Sequence, residues 1–368
     1  MKKILAWLLL AATVMSLLGC AAEAKPAENT QQTEGVSLES PAGEKETGAP
    51  ETEAPVLEGS LFLKVSSVTF SVVGESEDIY LGMIPRELVT WESEDPSVVS
   101  VENGVLTAKG VGTTTVRATY YDRQAECTAG CLAETQEELN RLDAEILASP
   151  KRLPPEVDLE EPCTYFDNAA IVGDSITYFL FQWENKTNYL GEMLFLARGG
   201  VSMNSFVQRS KNIYYKGREI SLEKAIDKSK VDRVYLLMGS NDISAATQRP
   251  HLEENWEIML ERIRKKSPDV ELVLLSNIPL YLDEAESEMD RFLTYNNRIM
   301  EYNLWLKNFA AENGCLYLDL CYYVQDHCGR MPKIYNQGSY HMNEEGCLNW
   351  MKILRYYAQC ELEGGTLS

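Results

Sequence analysis

Two different spacings of apolar residues divide the chain. Between residues 60 and 132 apolar and polar positions alternate in short runs: Leu61–Val65, Val68–Val72, Ile79–Leu81, Val98–Val101, Val105–Ala108 and Thr113–Thr119. Gly74, Asp95-Pro96, Asn103-Gly104 and Gly110 with Gly112 separate these runs. Successive strand side chains point to opposite faces, so short alternating runs between turn residues predict an antiparallel sandwich. From about residue 160 the pattern changes. Near-continuous apolar runs at Ala169–Val172, Val231–Met238, Val270–Ile278 and Cys315–Leu320 read as strands buried on both faces. Helical stretches near 177–190, 252–266 and 294–312 lie between them. In the last, Ile299, Tyr302, Leu306, Phe309 and Ala310 recur at helical spacing and form its buried face. Alternation of strands and helices predicts an α/β fold with a parallel sheet covered on both sides.

The flanking segments carry other signals. Met1-Lys2-Lys3 is a basic start, and Ile4 to Leu18 is an apolar stretch of signal-peptide length, short for a membrane span. It closes on Leu17-Leu18-Gly19-Cys20, which looks like a bacterial lipobox with cleavage before Cys20 and lipid attached there. Residues 21–57 are rich in Glu, Pro, Thr, Ala and Gly and hold no aromatic residue, so they read as a flexible stalk. Residues 134–148 read as a short helix, and Pro150, Pro154 and Pro155 mark a boundary after it. Tyr214-Tyr215-Lys216-Gly217 with Arg218-Glu219-Ile220 reads as a small hairpin, with Ser221 capping the next helix. Asn343 caps the closing helix, and Glu344 and Glu345 stand in its favourable first turn. The expected divisions are 1–19 signal peptide, 20–57 lipidated Cys and linker, 58–133 all-β domain, 134–159 connector and 160–365 α/β domain.

Charge and cysteine usage narrow the chemistry. A formal charge of −22 argues against nucleic acid and anionic lipid surfaces as partners. Eight Cys remain of nine if Cys20 carries lipid, an even number that permits disulfides in an oxidising compartment. Their pairing is open, although Cys127 and Cys131 on one extended strand lie roughly 13 Å apart, beyond bridging reach. No C-x-x-C pair is present, and no metal site or organic cofactor is expected. The acidic stretch from Asp283 to Asp290 reads as a solvated loop, with an acidic lid as the sharper alternative.

Val89-Thr90-Trp91-Glu92-Ser93, Pro96-Ser97-Val98-Val99-Ser100-Val101, Gly104-Val105-Leu106-Thr107-Ala108 and Gly110-Val111-Gly112-Thr113-Thr114-Thr115-Val116 together resemble the bacterial immunoglobulin-like domain. That resemblance implies a spacer, adhesion or carbohydrate-contact module, with Trp91 packed between its sheets.

Four short motifs carry the candidate chemistry. Ile171-Val172-Gly173-Asp174-Ser175-Ile176-Thr177 sits where a strand ends and a helix begins. A Ser there can attack a carbonyl while its own N–H helps to hold the oxyanion. Arg198-Gly199-Gly200-Val201-Ser202 offers backbone that a ligand can approach closely. Met238-Gly239-Ser240-Asn241-Asp242 follows another buried strand, and Asn241 can aim an amide N–H at an oxyanion. Tyr340-His341-Met342-Asn343-Glu344-Glu345-Gly346 opens the final helix and holds one of only three His, the others being His251 and His327.

In this order, roughly residues 165–362 resemble the SGNH (GDSL-like) hydrolase family. The resemblance implies a three-layer, flavodoxin-like α/β fold. Ser175 would be nucleophile and His341 general base. The oxyanion hole would combine the Ser175 and Gly200 N–H groups, or Gly199 by a one-residue shift, with the Asn241 side chain. Asp174, Gly239 and Asp242 would support them. Family members usually carry Asp three residues before the His, and Gly338 stands there. Three outcomes are open: a backbone carbonyl orients His341, an acid such as Asp326 or Glu344 replaces the missing one, or catalysis is slow or lost. The expected protein is an extracytoplasmic, membrane-anchored serine esterase acting on an acyl ester, with an O-acetylated envelope polysaccharide as the expected substrate. The rivals are an O-acyltransferase on envelope glycan and an inactive surface binding lipoprotein.

Overall fold

The computed structural model describes residues 60–208, 211–244, 249–282 and 289–364. The signal segment, Cys20 and the stalk lie outside the described residues, as do residues 283–288 of the acidic stretch Asp283–Asp290, whose last two residues open the helix Met289–Glu312.

The N-terminal part is all-β. Its strands are β1 (Ser67–Val72), β2 (Ser76–Asp78), β3 (Thr90–Ser93), β4 (Val99–Glu102), β5 (Val105–Ala108), β6 (Gly112–Tyr120), β7 (Arg123–Ala133) and β8 (Arg152–Leu153). They form two sheets, in the orders β3-β6-β7-β1-β8 and β2-β5-β4. Val99, Leu106 and Ala108 of the smaller sheet share one core with Val68, Val116 and Ala118 of the larger. Trp91 is half-buried and meets Tyr80 edge-to-face with ring centroids 5.6 Å apart. The pattern placed β5 to the residue and β1, β4 and β6 within one, while β2, β3, β7 and β8 fell outside the expected runs. Leu61–Val65 and Ile79–Leu81, expected as strands, make only the Leu63–Tyr80 bridge of ladder pairing. The expected connector helix is two short helices, Gln136–Leu139 and Ala144–Leu147. Cys127 and Cys131 do share β7, and all eight described Cys are free.

The connector returns to both parts. β8 adds to the edge of the larger sheet beside β1, so the exposed ladder of β1 is paired. Lys151 N–H donates to Gln325 O at 2.9 Å, which ties the same segment to the α/β part. The contact between the two parts is unusually polar. Arg152 pairs with Glu77 at 2.6 Å, with the two side chains only 12% and 8% exposed, and its guanidinium lies 4.3 Å from the Tyr322 ring centroid. Ser71 Oγ lies 3.0 Å from His327 Nδ1, and Tyr323 Oη donates to Lys64 O at 2.9 Å.

The α/β part contains β9 (Ala169–Gly173), β10 (Leu194–Ala197), the hairpin β11 (Ile213–Tyr215) and β12 (Arg218–Ile220), β13 (Arg233–Leu237), β14 (Glu271–Leu275) and β15 (Leu316–Leu318). Five of these make one all-parallel sheet in the order β10-β9-β13-β14-β15. In order of entry this is 2-1-3-4-5, the flavodoxin-like winding. Alternate residues explain the layering. Ile171, Tyr235 and Val273 face Leu180, Trp350 and Ile353, from the helices Ser175–Thr187 and Glu344–Leu362. Val172, Val234, Leu236 and Leu274 face Trp256, Ile263, Ile299 and Leu306, from Arg249–Lys266 and Met289–Glu312. The five residues expected on the inner face of the last of these helices are all buried. Ser221 precedes a helix as expected, but its hydroxyl bonds the Glu223 carboxylate and leaves the helix N–H groups uncapped.

Two predictions follow from the polar contact. Glu77→Gln strands the buried Arg152 charge, so it should cost about 3 kcal/mol, read as a shift of the urea midpoint without a change of slope. Burial, and then Lys151, push His327 down to about 4 from its ordinary 6.5. The unfolded chain therefore binds a proton between these values that the folded chain refuses. The His327 contribution is complete above pH 6.5 and disappears as pH falls through about 4, worth up to about 3 kcal/mol. His327→Gln should flatten this part of the stability–pH curve, measured by denaturation between pH 7.5 and 4.

Candidate active site

Three loops leave the carboxyl ends of the adjacent strands β10, β9 and β13, where the order of the sheet reverses. Such a switch point opens a crevice for ligands. Asp174 is the N-cap of the Ser175–Thr187 helix and accepts from Ile176 N–H at 2.9 Å. Ser175 is thereby the first helical residue, where backbone N–H groups have no partner within the helix.

Asp174 also reaches the β13 loop. It accepts from the Ser240 hydroxyl and, at 3.0 Å, from Asn241 Nδ2. Asn241 Nδ2 donates in addition to Val201 O at 2.8 Å, which joins the β13 loop to the glycine loop after β10. Asp242 completes the tie: its Oδ2 accepts from Met203 N–H at 2.8 Å. Arg198 N–H donates to Gly173 O at 3.1 Å at the other end of the glycine loop. Burial raises both the Asp174 and Asp242 carboxyls above their ordinary value. Gly239 takes φ +109°, and a Cβ there would lie 2.6 Å from Tyr302 Oη, so no side chain fits. Gly200 takes φ +71° and, like Gly199, is exposed at the rim.

His341 arrives from the far end of the chain. It lies on β17 (His341–Met342), which pairs antiparallel with β16 (Asn336–Gln337). The turn between them holds Gly338 at φ +68° and Ser339 at φ +64°. Tyr281 N–H donates to Ser339 O at 3.0 Å and pins that turn. Asn343 caps the final helix by accepting from Gly346 N–H at 3.1 Å, as its sequence position implied. His341 Nε2 then lies 3.0 Å from Ser175 Oγ. Burial pushes the imidazole below its ordinary value, which favours the neutral form that can accept a proton. The pair brings a hydroxyl, a base and free helix N–H groups to one place, the requirements for nucleophilic attack on a carbonyl.

Among the described residues no carboxylate is hydrogen-bonded to His341. Asp326 is occupied in its own loop, accepting from Cys328 N–H at 2.8 Å, Arg330 N–H at 2.9 Å and Arg330 Nε at 3.3 Å. Glu344 is exposed in the first turn of the final helix. Neither acid stands in for the one missing at Gly338.

Three participants escaped the sequence reading. Phe179 stacks on His341 with ring centroids 4.4 Å apart and planes 27° from parallel. Ser240 and Tyr295 extend the Asp174 network, Tyr295 Oη donating to Ser240 O at 3.0 Å. Ser240 stands inside the Met238–Asp242 motif without a role read for it, and Phe179 lies four residues after Ser175 and so on the same helical face, whereas Tyr295 left no local signal.

Comparison with known proteins bears on the same segment. Residues 171–347 match the model of the GDSL-like Lipase/Acylhydrolase family. A search of curated proteins found no match. Among solved structures, a Streptococcus pneumonia protein described as a candidate platelet activating factor is 20% identical, covering 55% of this chain and 86% of its own, with a TM-score of 0.44. A GDSL-like lipase from Bacteroides thetaiotaomicron is 15% identical, covering 55% and 92%, with a TM-score of 0.39. An acetylxylan esterase from Geobacillus stearothermophilus, in a catalytic mutant form, is 14% identical, covering 51% and 92%, with a TM-score of 0.33. From β9 to the start of its final helix, the chain carries a domain of the GDSL-like lipase/acylhydrolase family.

Proposed function

We propose that the protein is a serine esterase of the cell envelope that cleaves short acyl esters, with O-acetylated glycan as the substrate class. The single observation that carries the reading is the 3.0 Å contact between Ser175 Oγ and His341 Nε2 at a helix N-terminus. Ser175 attacks the ester carbonyl as His341 takes its proton. The oxyanion is held by the Ser175 and Gly200 N–H groups and by Asn241. Both Asn241 amide hydrogens already meet protein acceptors, Val201 O and Asp174, so one of those bonds must loosen or be shared as the oxyanion forms. The leaving alkoxide collects the proton from His341, and water then releases the acid by the same route.

The substrate class draws on the surroundings. Tyr178 and Tyr340 are both more than a third exposed, one a helical turn from Ser175 and the other next to His341. Tyrosines pair an apolar ring with a hydroxyl and suit polar, ring-shaped alcohols better than acyl chains alone. The location draws on the basic start, apolar run and Leu17-Leu18-Gly19-Cys20 ending. The two-sheet N-terminal part, read as immunoglobulin-like, would hold the hydrolase away from the lipid on Cys20.

Hydrolysis of a short-chain chromogenic ester by the full-length chain tests the reading. Ser175→Ala and His341→Ala should each lose at least about 10³-fold in kcat/KM. A parent no faster than Ser175→Ala, and unlabelled by a serine-reactive phosphonate, would leave a tethered binding protein instead. The pH profile has a defined sign. His341 must be neutral to act and its pKa is lowered by burial, so the acid limb of kcat/KM should fall below pH 6.5. A limb above 6.5 would indicate a nearby anion on the imidazole.

A further inference from the structure

We infer that Phe179 is a positioning residue that orients His341 by stacking on its face, where position 338 supplies no carboxylate. The inference rests on the esterase reading of Ser175 and His341. An orienting acid does two things for a base of this kind. It fixes the ring against rotation, and it steadies the imidazolium that forms as the nucleophile gives up its proton. Here position 338 is a glycine in a left-handed turn, with open space where a Cβ would point, so this position brings no side chain to the imidazole. His341 itself stands in a two-residue strand, a short support that leaves the ring orientation to its contacts.

The Phe179 ring supplies such a contact. It lies nearly parallel to the imidazole at 4.4 Å between centroids. Rotation of the imidazole out of that plane would drive its edge into the phenyl face. The negative face of an aromatic ring also favours a cation over it, so the stack supports the imidazolium as it forms. Phe179 follows Ser175 by four residues on one helix, so nucleophile and ring share a face and move as one body. The spacing of base from nucleophile is thereby referred to helix geometry rather than to the hairpin alone. A ring face bonds neither nitrogen, so Phe179 fixes the plane of the imidazole without selecting its tautomer.

The full-length chain with Phe179→Leu and with Phe179→Tyr tests this on two readouts. The first is the nuclear Overhauser contact between the His341 imidazole and the Ser175 β protons, which reports where the ring stands and does not depend on the ring current of residue 179. The second is kcat and KM for p-nitrophenyl acetate. Phe179→Leu should weaken this contact and lower kcat about 10- to 100-fold, with KM within about twofold, as expected for a misplaced base. Phe179→Tyr should keep both near the parent. A Phe179→Leu enzyme with the kcat of the parent overturns the inference. So does a loss that Phe179→Tyr shares, which would mark Phe179 as packing only. If the parent itself shows no Ser175-dependent turnover, the esterase reading fails separately. The Overhauser contact then decides: kept in Phe179→Leu, it overturns the positioning role, and lost, it upholds it.

Discussion

Asp174 is a carboxylate buried to 2% exposure at the point where the parallel sheet reverses its winding, and it accepts from three different groups. One bond starts the Ser175 helix. The other two draw in the β13 loop through Ser240 and Asn241. Asn241 passes the restraint to Val201 O, and Asp242 passes it to the Met203 N–H. Ser175 and the glycine loop are thus referenced to a single buried side chain. An unpaired carboxylate so placed would be costly, and its partners are what make the position tenable. Its carboxyl is raised by burial all the same, which shows that desolvation outweighs the hydrogen bonds it receives.

His341 is held by a second arrangement. Asn343 anchors the final helix, the β16–β17 hairpin extends from it, and Tyr281 pins the turn. Both arrangements end within one hydrogen bond of each other, at Ser175 Oγ and His341 Nε2. The all-β part joins the same molecule through a core that includes Val68 and Phe70 together with Tyr323 and Trp350. Around that shared core run Arg152–Glu77 and Ser71–His327. The contact is therefore sensitive to charge.

Much of this architecture was legible in residue order. Fully apolar runs such as Val234–Leu237 mark strands with helices on both faces, because water reaches neither side. The edge strand Leu194–Ala197 was missed because three of its four residues are only partly buried and its run is short. β7 was missed for a related reason: Arg123 to Thr128 alternates polar with small residues, which carry little apolar signal. At the site, Ser175, Asn241 and His341 were identifiable from short motifs placed after strands or before a helix. The Asp174–Ser240–Tyr295 network was not, since it joins residues 66 apart and then 55 apart through contacts that no local pattern encodes.

Sequence by itself determined the two spacings of apolar residues, hence an all-β part followed by a parallel α/β part. It also determined the Ser175 helix start, the Asn343 cap and the absence of Asp at position 338. These are local properties, set by backbone preference and by which side chains can avoid water. Tertiary structure alone decided that neither Asp326 nor Glu344 reaches His341, that Phe179 covers it, and that His327 is sealed against Ser71. These outcomes depend on which distant surfaces meet. Such meetings follow from the packing of whole elements and the cost of burying charge, sums over many residues that no short stretch of chain carries.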